Sequence, residues 1–240
     1  MKLTDFKVLT FDCYGTLIDW ETGLYDSLRP LLGRLRTARS RNAVLEAFGR
    51  HELAQERETP EMIYSDLLAE VHRRLAREWG LTASETEHRR FGESVPDWPA
   101  FADSRPSLEY LRQHYQLVIL SNVDRVSFAG SRVKLGVQFD AVITAQDVGS
   151  YKPDPRNFRY LIDHLAGRGI AREQILHTAE SLLHDHAPAN AHGLASAWIH
   201  RRYNQEGSGA TVAPDHMPKF NFRFSSLEEM VKAHQRENLV

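Results

Sequence analysis

Residues 8–17 read Val8-Leu9-Thr10-Phe11-Asp12-Cys13-Tyr14-Gly15-Thr16-Leu17, and this stretch decides the fold. Its first four residues have strand propensity without the in–out alternation of a half-exposed strand, so they predict a short strand buried on both faces. The strand ends at an acidic residue and a polar turn containing a glycine. From Trp20 to Trp98 the texture changes to helical and charge-rich. Ile63, Leu67, Leu68, Val71 and Leu75 follow the three–four spacing of an amphipathic helix. Pro30, Pro60 and Pro96 are expected to divide this region into several helices, and no strand is expected inside it.

After Pro99 the alternation returns. The sequence predicts helices over 108–115 and 158–165 and strands over 117–120, 139–143, 175–179 and 195–199. A loop runs from the second of these strands to Tyr151-Lys152-Pro153. A long loop is expected over 203–218, then a closing segment at 220–224 and a helix over 226–236. Strands alternating with helices imply an α/β fold with a doubly wound parallel sheet. The core is then 1–18 with 99–240, and 19–98 is a helical cap inserted after the first strand.

Composition narrows the function. The 240 residues hold 30 basic and 32 acidic side chains, a net charge of −2, with no basic block. That argues against a nucleic-acid surface or a polybasic membrane anchor. No apolar run approaches the roughly 18 residues of a membrane helix. The N-terminus has no apolar signal core, and the one cysteine, Cys13, excludes an internal disulfide framework; both fit the reducing cytoplasm. The oligomeric state stays open, a homodimer being one option.

Ligands in open parallel sheets bind beyond the carboxyl ends of the strands. Asp12, the pair Ser121-Asn122, Lys152, and the segment Glu180 to Asp185 all fall at such positions. Singly each is ordinary, since an Asp after a strand commonly caps a turn and Lys-Pro commonly sits in a loop. Together, in strand order, they make a site.

Phe11-Asp12-Cys13-Tyr14-Gly15-Thr16-Leu17, Leu120-Ser121-Asn122, Tyr151-Lys152-Pro153-Asp154 and His184-Asp185 resemble the ordered motifs of the haloacid dehalogenase superfamily. The resemblance covers the whole chain and implies a Rossmann-like core with a helical cap. Phosphatases of that superfamily carry a second aspartate where this chain has Tyr14, so the resemblance points to the L-2-haloacid dehalogenase branch. Within that branch, Asp12 through Trp20-Glu21-Thr22-Gly23, 145–152 and His177-Thr178-Ala179-Glu180-Ser181 are similar to the L-azetidine-2-carboxylate hydrolases.

The implied reaction is hydrolysis at C2 of a small 2-substituted carboxylic acid through an aspartyl ester on Asp12. Ring opening of L-azetidine-2-carboxylate is the first reading, dehalogenation of a 2-haloacid the alternative, and magnesium-dependent phosphate hydrolysis a further one. Asp12 must be ionised to attack, and Lys152 would supply the neighbouring cation. Ser121 and Asn122 would hold the substrate carboxylate, and Asp185 would orient the hydrolytic water. Tyr14, Trp20, Arg50, Glu180 and Ser181 are the expected substrate contacts. No metal and no cofactor are required by displacement at carbon. Magnesium on Asp12, Glu180 and Asp185 is the rival arrangement. His177, His184 and His186 read as ordinary hydrogen-bonded histidines rather than a metal cluster.

The dehalogenase pattern is broken in three places. Phe158 stands where a tyrosine is usual, the last motif reads Ala179-Glu180-Ser181, and the arginine of Phe48-Gly49-Arg50 comes one position late for a halide acceptor.

Overall fold

The computed structural model describes residues 1–207 and 209–239. The strands are β1 (Val8–Phe11), β2 (Gln116–Ser121), β3 (Ala141–Thr144), β4 (Ile175–Ala179), β5 (Ala195–Ile199) and β6 (Phe222–Phe224). They pair in the order β3-β2-β1-β4-β5-β6, every neighbouring pair parallel. The first strand in sequence thus lies inside the sheet, between β2 and β4. Its buried positions alternate between two apolar clusters. Leu9 and Phe11 join the larger one, whereas Val8 joins a smaller cluster with Val118, Leu120, Phe158 and Ile175 on the opposite face. This two-sided burial accounts for the missing polar alternation. A fully buried Leu or Phe stabilises by about 1.5–3 kcal/mol, which fixes β1 as the centre of the core.

Between β1 and β2 come α1 (Trp20–Leu32), α2 (Arg41–Glu58), α3 (Tyr64–Glu78) and α4 (Glu85–Gly92), and then α5 (Ser104–Leu111). Leu67, Leu68, Val71 and Leu75 of α3 are fully buried, as their spacing requires. Pro30 corrects the expectation, because it lies in the last turn of α1 rather than ending it. The helix before β2 also begins and ends earlier than its apolar pattern implied. Next come α6 (Arg125–Leu135), α7 (Ala145–Val148), α8 (Pro155–Ala166), α9 (Ala187–Ala191) and α10 (Leu227–Glu237). The sequence reading missed α6 because its exposed Val126 and Val133 blur the apolar stripe. It read α7 as loop because one turn is too short to show a period. β3 starts two residues late; Phe139 packs in the core ahead of it.

Among the described residues, no helix is long and apolar enough to cross a membrane.

Candidate active site

β1 delivers Asp12 to the carboxyl edge of the sheet, where its N–H donates to Thr178 O of β4 at 3.1 Å. The chain must then turn at once. Leu17 N and Ile18 N both donate to Cys13 O, and Gly15 takes φ +95°, a left-handed value that a side chain would strain. The turn returns Thr16 to the acid, and its hydroxyl donates to Asp12 Oδ2 at 2.7 Å.

Lys152 supplies the second contact. Its backbone is clamped by Asn122, because Lys152 N donates to Asn122 Oδ1 at 2.7 Å and Asn122 Nδ2 returns a bond to Lys152 O at 3.0 Å. The Lys152 ammonium is buried and donates to Asp12 Oδ1 (3.0 Å), Asp185 Oδ1 (2.7 Å) and Leu120 O (3.0 Å). A lysine has three N–H donors, so none is left over for another ligand. Asp185 Oδ1 also meets His177 Nε2 at 2.9 Å, and His177 Nδ1 meets Thr10 Oγ1 at 2.8 Å. Asp185 Oδ2 is buried with no hydrogen-bond partner among the described residues, and so is Ser121 Oγ.

The electrostatics follow from this geometry. Burial disfavours the Lys152 ammonium, yet Asp12 and Asp185 outweigh it and raise its pKa above the ordinary lysine value. Burial likewise opposes ionisation of Asp185, but Lys152 and His177 hold its carboxyl well below the usual range. For Asp12, burial raises the pKa, Lys152 opposes the rise, and the charge of Asp185 adds to it. Both Asp12 oxygens still accept hydrogen bonds, the pattern of a carboxylate.

A cavity of about 50 Å³ opens on this group, lined in part by Asp12, Tyr14, Trp20, Ser181, His184 and Asp185. Its volume is on the scale of a few water molecules, the size of a small substrate group. Tyr14 lines it, but its hydroxyl is engaged with Ser131 Oγ of α6 at 2.8 Å. Burial pushes that phenol up, so it is no substitute for an acid at this position. Trp20 packs edge-on against Phe48 and faces both this cavity and a neighbouring one of about 190 Å³. Ser181 Oγ caps His184 N at 3.0 Å.

Several expected contacts lie elsewhere. Arg50 is exposed and pairs with Glu78. Helix geometry explains this, since at 100° per residue Arg50 lies about 200° around α2 from the buried Phe48. Glu180 borders the larger cavity instead, next to Gly15 and Arg201. Burial, with Glu21 and Asp12 adding, raises its pKa to about 8. Asn122 has already spent its amide protons on Glu56 Oε1 and Lys152 O, so it braces the site rather than offering a free donor. The three histidines part company: His177 supports Asp185, His184 borders the cavity, and His186 bonds Ser196 Oγ and Ala179 O.

The sequence reading passed over three residues on the helical wall. Glu52 and Glu56 of α2 and Tyr64 of α3 line the same cavity as Asp12. Their signal was present, because Val44, Phe48, Glu52 and Glu56 recur at i+4, placing two acids on a buried stripe.

A family model for haloacid dehalogenase-like hydrolases matches residues 6–178. The chain belongs to that family. Solved structures with the same fold include the L-2-haloacid dehalogenase PA0810 (TM-score 0.76, 22% identity, covering 98% of this chain and 100% of that one). Another is the L-2-haloacid dehalogenase from Xanthobacter autotrophicus with chloropropionic acid covalently bound (TM-score 0.79, 18% identity, 96% and 98% covered). A third is the putative HAD-hydrolase YfnB from Bacillus subtilis bound to magnesium (TM-score 0.75, 18% identity, 96% and 99% covered). No curated protein matches the chain.

A cation of the chain itself already stands between the two carboxylates of the site. Asp12 and Asp185 are bridged by the Lys152 ammonium, and Tyr14 offers no carboxylate. Among the described residues, no three His, Cys, Asp or Glu side chains are grouped to hold a metal ion.

Proposed function

We propose that this hydrolase displaces a leaving group from C2 of a small 2-substituted carboxylic acid through an ester on Asp12. One observation carries the reading: Asp12 is fixed by Lys152 and Thr16 in a small buried cavity that it shares with Asp185. An Asp12 oxygen attacks C2, the bond from C2 to the leaving group breaks, and the leaving group departs with the electron pair. The ester is neutral, so Lys152 then stabilises charge on the ester oxygen as water adds to the Asp12 carbonyl carbon. Asp185 Oδ2, without a partner, orients that water. Cleavage of the bond between the carbonyl carbon and the ester oxygen releases a 2-hydroxy acid and returns the Asp12 carboxylate. The Ser121 hydroxyl, expected to hold the substrate carboxylate, is buried and unpartnered but is not among the residues that line the cavity. The helices of residues 19–98 act as the cap that closes the cavity.

For the leaving group, the likeness to L-2-haloacid dehalogenases favours halide. A second reading, opening of the L-azetidine-2-carboxylate ring at its C–N bond, is favoured by the acidic helical wall and by the placement of Arg50 outside the cavity. Single-turnover hydrolysis of 2-chloropropionate and of L-azetidine-2-carboxylate in H₂¹⁸O tests the chemistry. Label is expected in Asp12, with the first-turnover product unlabelled. Label in the product alone means direct attack by water and excludes the ester.

A further inference from the structure

The helical wall of the Asp12 cavity is acidic. Glu52 and Glu56 stand one turn apart on α2, each only 6% exposed. Glu52 Oε1 accepts from the Tyr64 hydroxyl at 2.6 Å, and Glu56 Oε1 accepts from Asn122 Nδ2 at 3.0 Å. Glu56 Oε2 is buried with no hydrogen-bond partner among the described residues. Facing it at 3.7 Å is His184 Nε2, which also lacks one. Burial lowers the His184 pKa to about 4, so this imidazole is neutral at neutral pH and brings no charge.

Carboxyl groups therefore outnumber cations around the cavity. Asp12, Asp185, Glu52 and Glu56 all line the cavity, and Lys152 is the one lysine or arginine among its described lining residues. All three of its protons go to Asp12, Asp185 and Leu120 O. A buried carboxylate without a counter-charge is costly. Burial accordingly raises the Glu52 pKa to about 7 and, with Glu52 adding, pushes the Glu56 carboxyl well above its ordinary range, so a cation brought into the cavity is what holds the pair ionised. A halide would find no cation on this wall.

We infer that Glu52 and Glu56 form a receptor for a cationic nitrogen borne by the substrate beside its carboxylate. The substrate class is then a small 2-amino or 2-imino acid in its zwitterionic form. The inference rests on the reading that C2 is presented to Asp12. In that pose the nitrogen on C2 lies toward α2. Glu56 Oε2 takes a charge-assisted hydrogen bond from the nitrogen, and Glu52, held by Tyr64, adds the second negative end. The two acids thus act on specificity, while bond making stays with Asp12.

Binding of L-alanine and isobutyrate to the full chain tests this. The two share one heavy-atom skeleton and differ in an ammonium against a methyl group, and neither carries a group that Asp12 can displace. Calorimetry at pH 8 is expected to show L-alanine binding about tenfold or more tighter than isobutyrate. Glu56→Gln keeps an acceptor for Asn122 and is expected to bring the two ligands to within about twofold. Glu52→Gln keeps the acceptor for Tyr64 and should narrow the gap partially. Equal binding in the unsubstituted chain, tighter isobutyrate, no L-alanine binding, or a preference that survives both variants overturns the receptor. The Asp12 ester is read separately, from ¹⁸O incorporation with 2-chloropropionate or L-azetidine-2-carboxylate. Label in Asp12 with no ammonium preference refutes the receptor alone, and absence of label refutes the ester reading alone.

Discussion

Along the sheet edge, Lys152 uses all three of its protons, Thr16 and Asn122 hold their partners in fixed positions, and His177 backs Asp185. Across the cavity, α2 brings two carboxylates to the same space and leaves Glu56 Oε2 unpaired. The contrast separates two tasks. The sheet edge is assembled before any substrate arrives, with Lys152 bridging both carboxylates so that Asp12 needs no rearrangement to attack. The helical wall carries two carboxyl groups whose ionised form no cation of the wall compensates, and such a wall selects for a ligand that supplies one. Reaction type is accordingly read from the first region and substrate identity from the second.

The sharpest way to break the first half of this contrast is Asp12→Asn. An amide is a poor nucleophile toward saturated carbon, so turnover should fall on the order of 10³-fold or more. Because volume is kept, with the amide oxygen accepting from Lys152 and the amide N–H able to donate to the Thr16 hydroxyl, the circular dichroism spectrum should not change. Residual turnover near the unsubstituted rate would remove Asp12 from the reaction.

Lys152→Met probes how much the sheet edge depends on its one cation. It leaves Asp12 and Asp185 buried and uncompensated, an effect of about 3–5 kcal/mol for one lost partner of a buried pair. Thermal unfolding should fall by roughly 10 °C for a chain of this size. Activity should be lost as well, because Asp12 loses the charge that opposes its protonation. A stable and active Lys152→Met protein would refute the bridging role described above.

How far each region was legible in the sequence follows the same division. β1, Asp12, Lys152 and Asp185 lie in contiguous motifs at strand ends, where strand order alone brings them together. The helical wall is built by periodicity over four turns of α2, among many acids that face solvent. A Glu in a charge-rich helix is solvated by default, and only the phase of Phe48 sets Glu52 and Glu56 apart from Glu46 and Glu58. The same phase removes Arg50 from the cavity. The Asn122 clamp on Lys152 was out of reach as well, since it joins residues 30 apart through a backbone contact no motif encodes.

The helical wall should also show in the pH dependence of stability. Burial raises the Glu52 pKa from 4.5 to about 7, with the Tyr64 hydrogen bond opposing. The folded state then keeps a proton that the unfolded chain releases between those values, so the stability Glu52 contributes is full below about pH 4.5 and is lost as pH rises to about 7. The contribution is on the order of 3 kcal/mol across that window. Denaturant unfolding at pH 5 and pH 8 reads it as a difference between two proteins, because Glu56 and Glu180 act in the same sense as Glu52, while His72, His184 and His186, lowered to about 4 by burial, act in the opposite one. On going from pH 5 to pH 8, Glu52→Gln should lose less stability, or gain more, than the unsubstituted protein. The same change in both proteins would mean that Glu52 titrates normally.

The smallest effect belongs to Arg50→Ala, and it bears directly on which region reads the leaving group. If a cap arginine accepted halide, removing Arg50 would cost turnover of 2-chloropropionate while sparing other substrates. In this fold the guanidinium is exposed and contacts Glu78 at 3.4 Å, on the side of α2 opposite Phe48. An exposed ion pair of this kind contributes about 0–1 kcal/mol, so stability should hold within about 0.5 kcal/mol. The kcat and KM for 2-chloropropionate and for L-azetidine-2-carboxylate should each match the unsubstituted enzyme. A selective loss with chloropropionate would require Arg50 to reach the cavity after all. It would also shift the choice of leaving group away from Glu52 and Glu56.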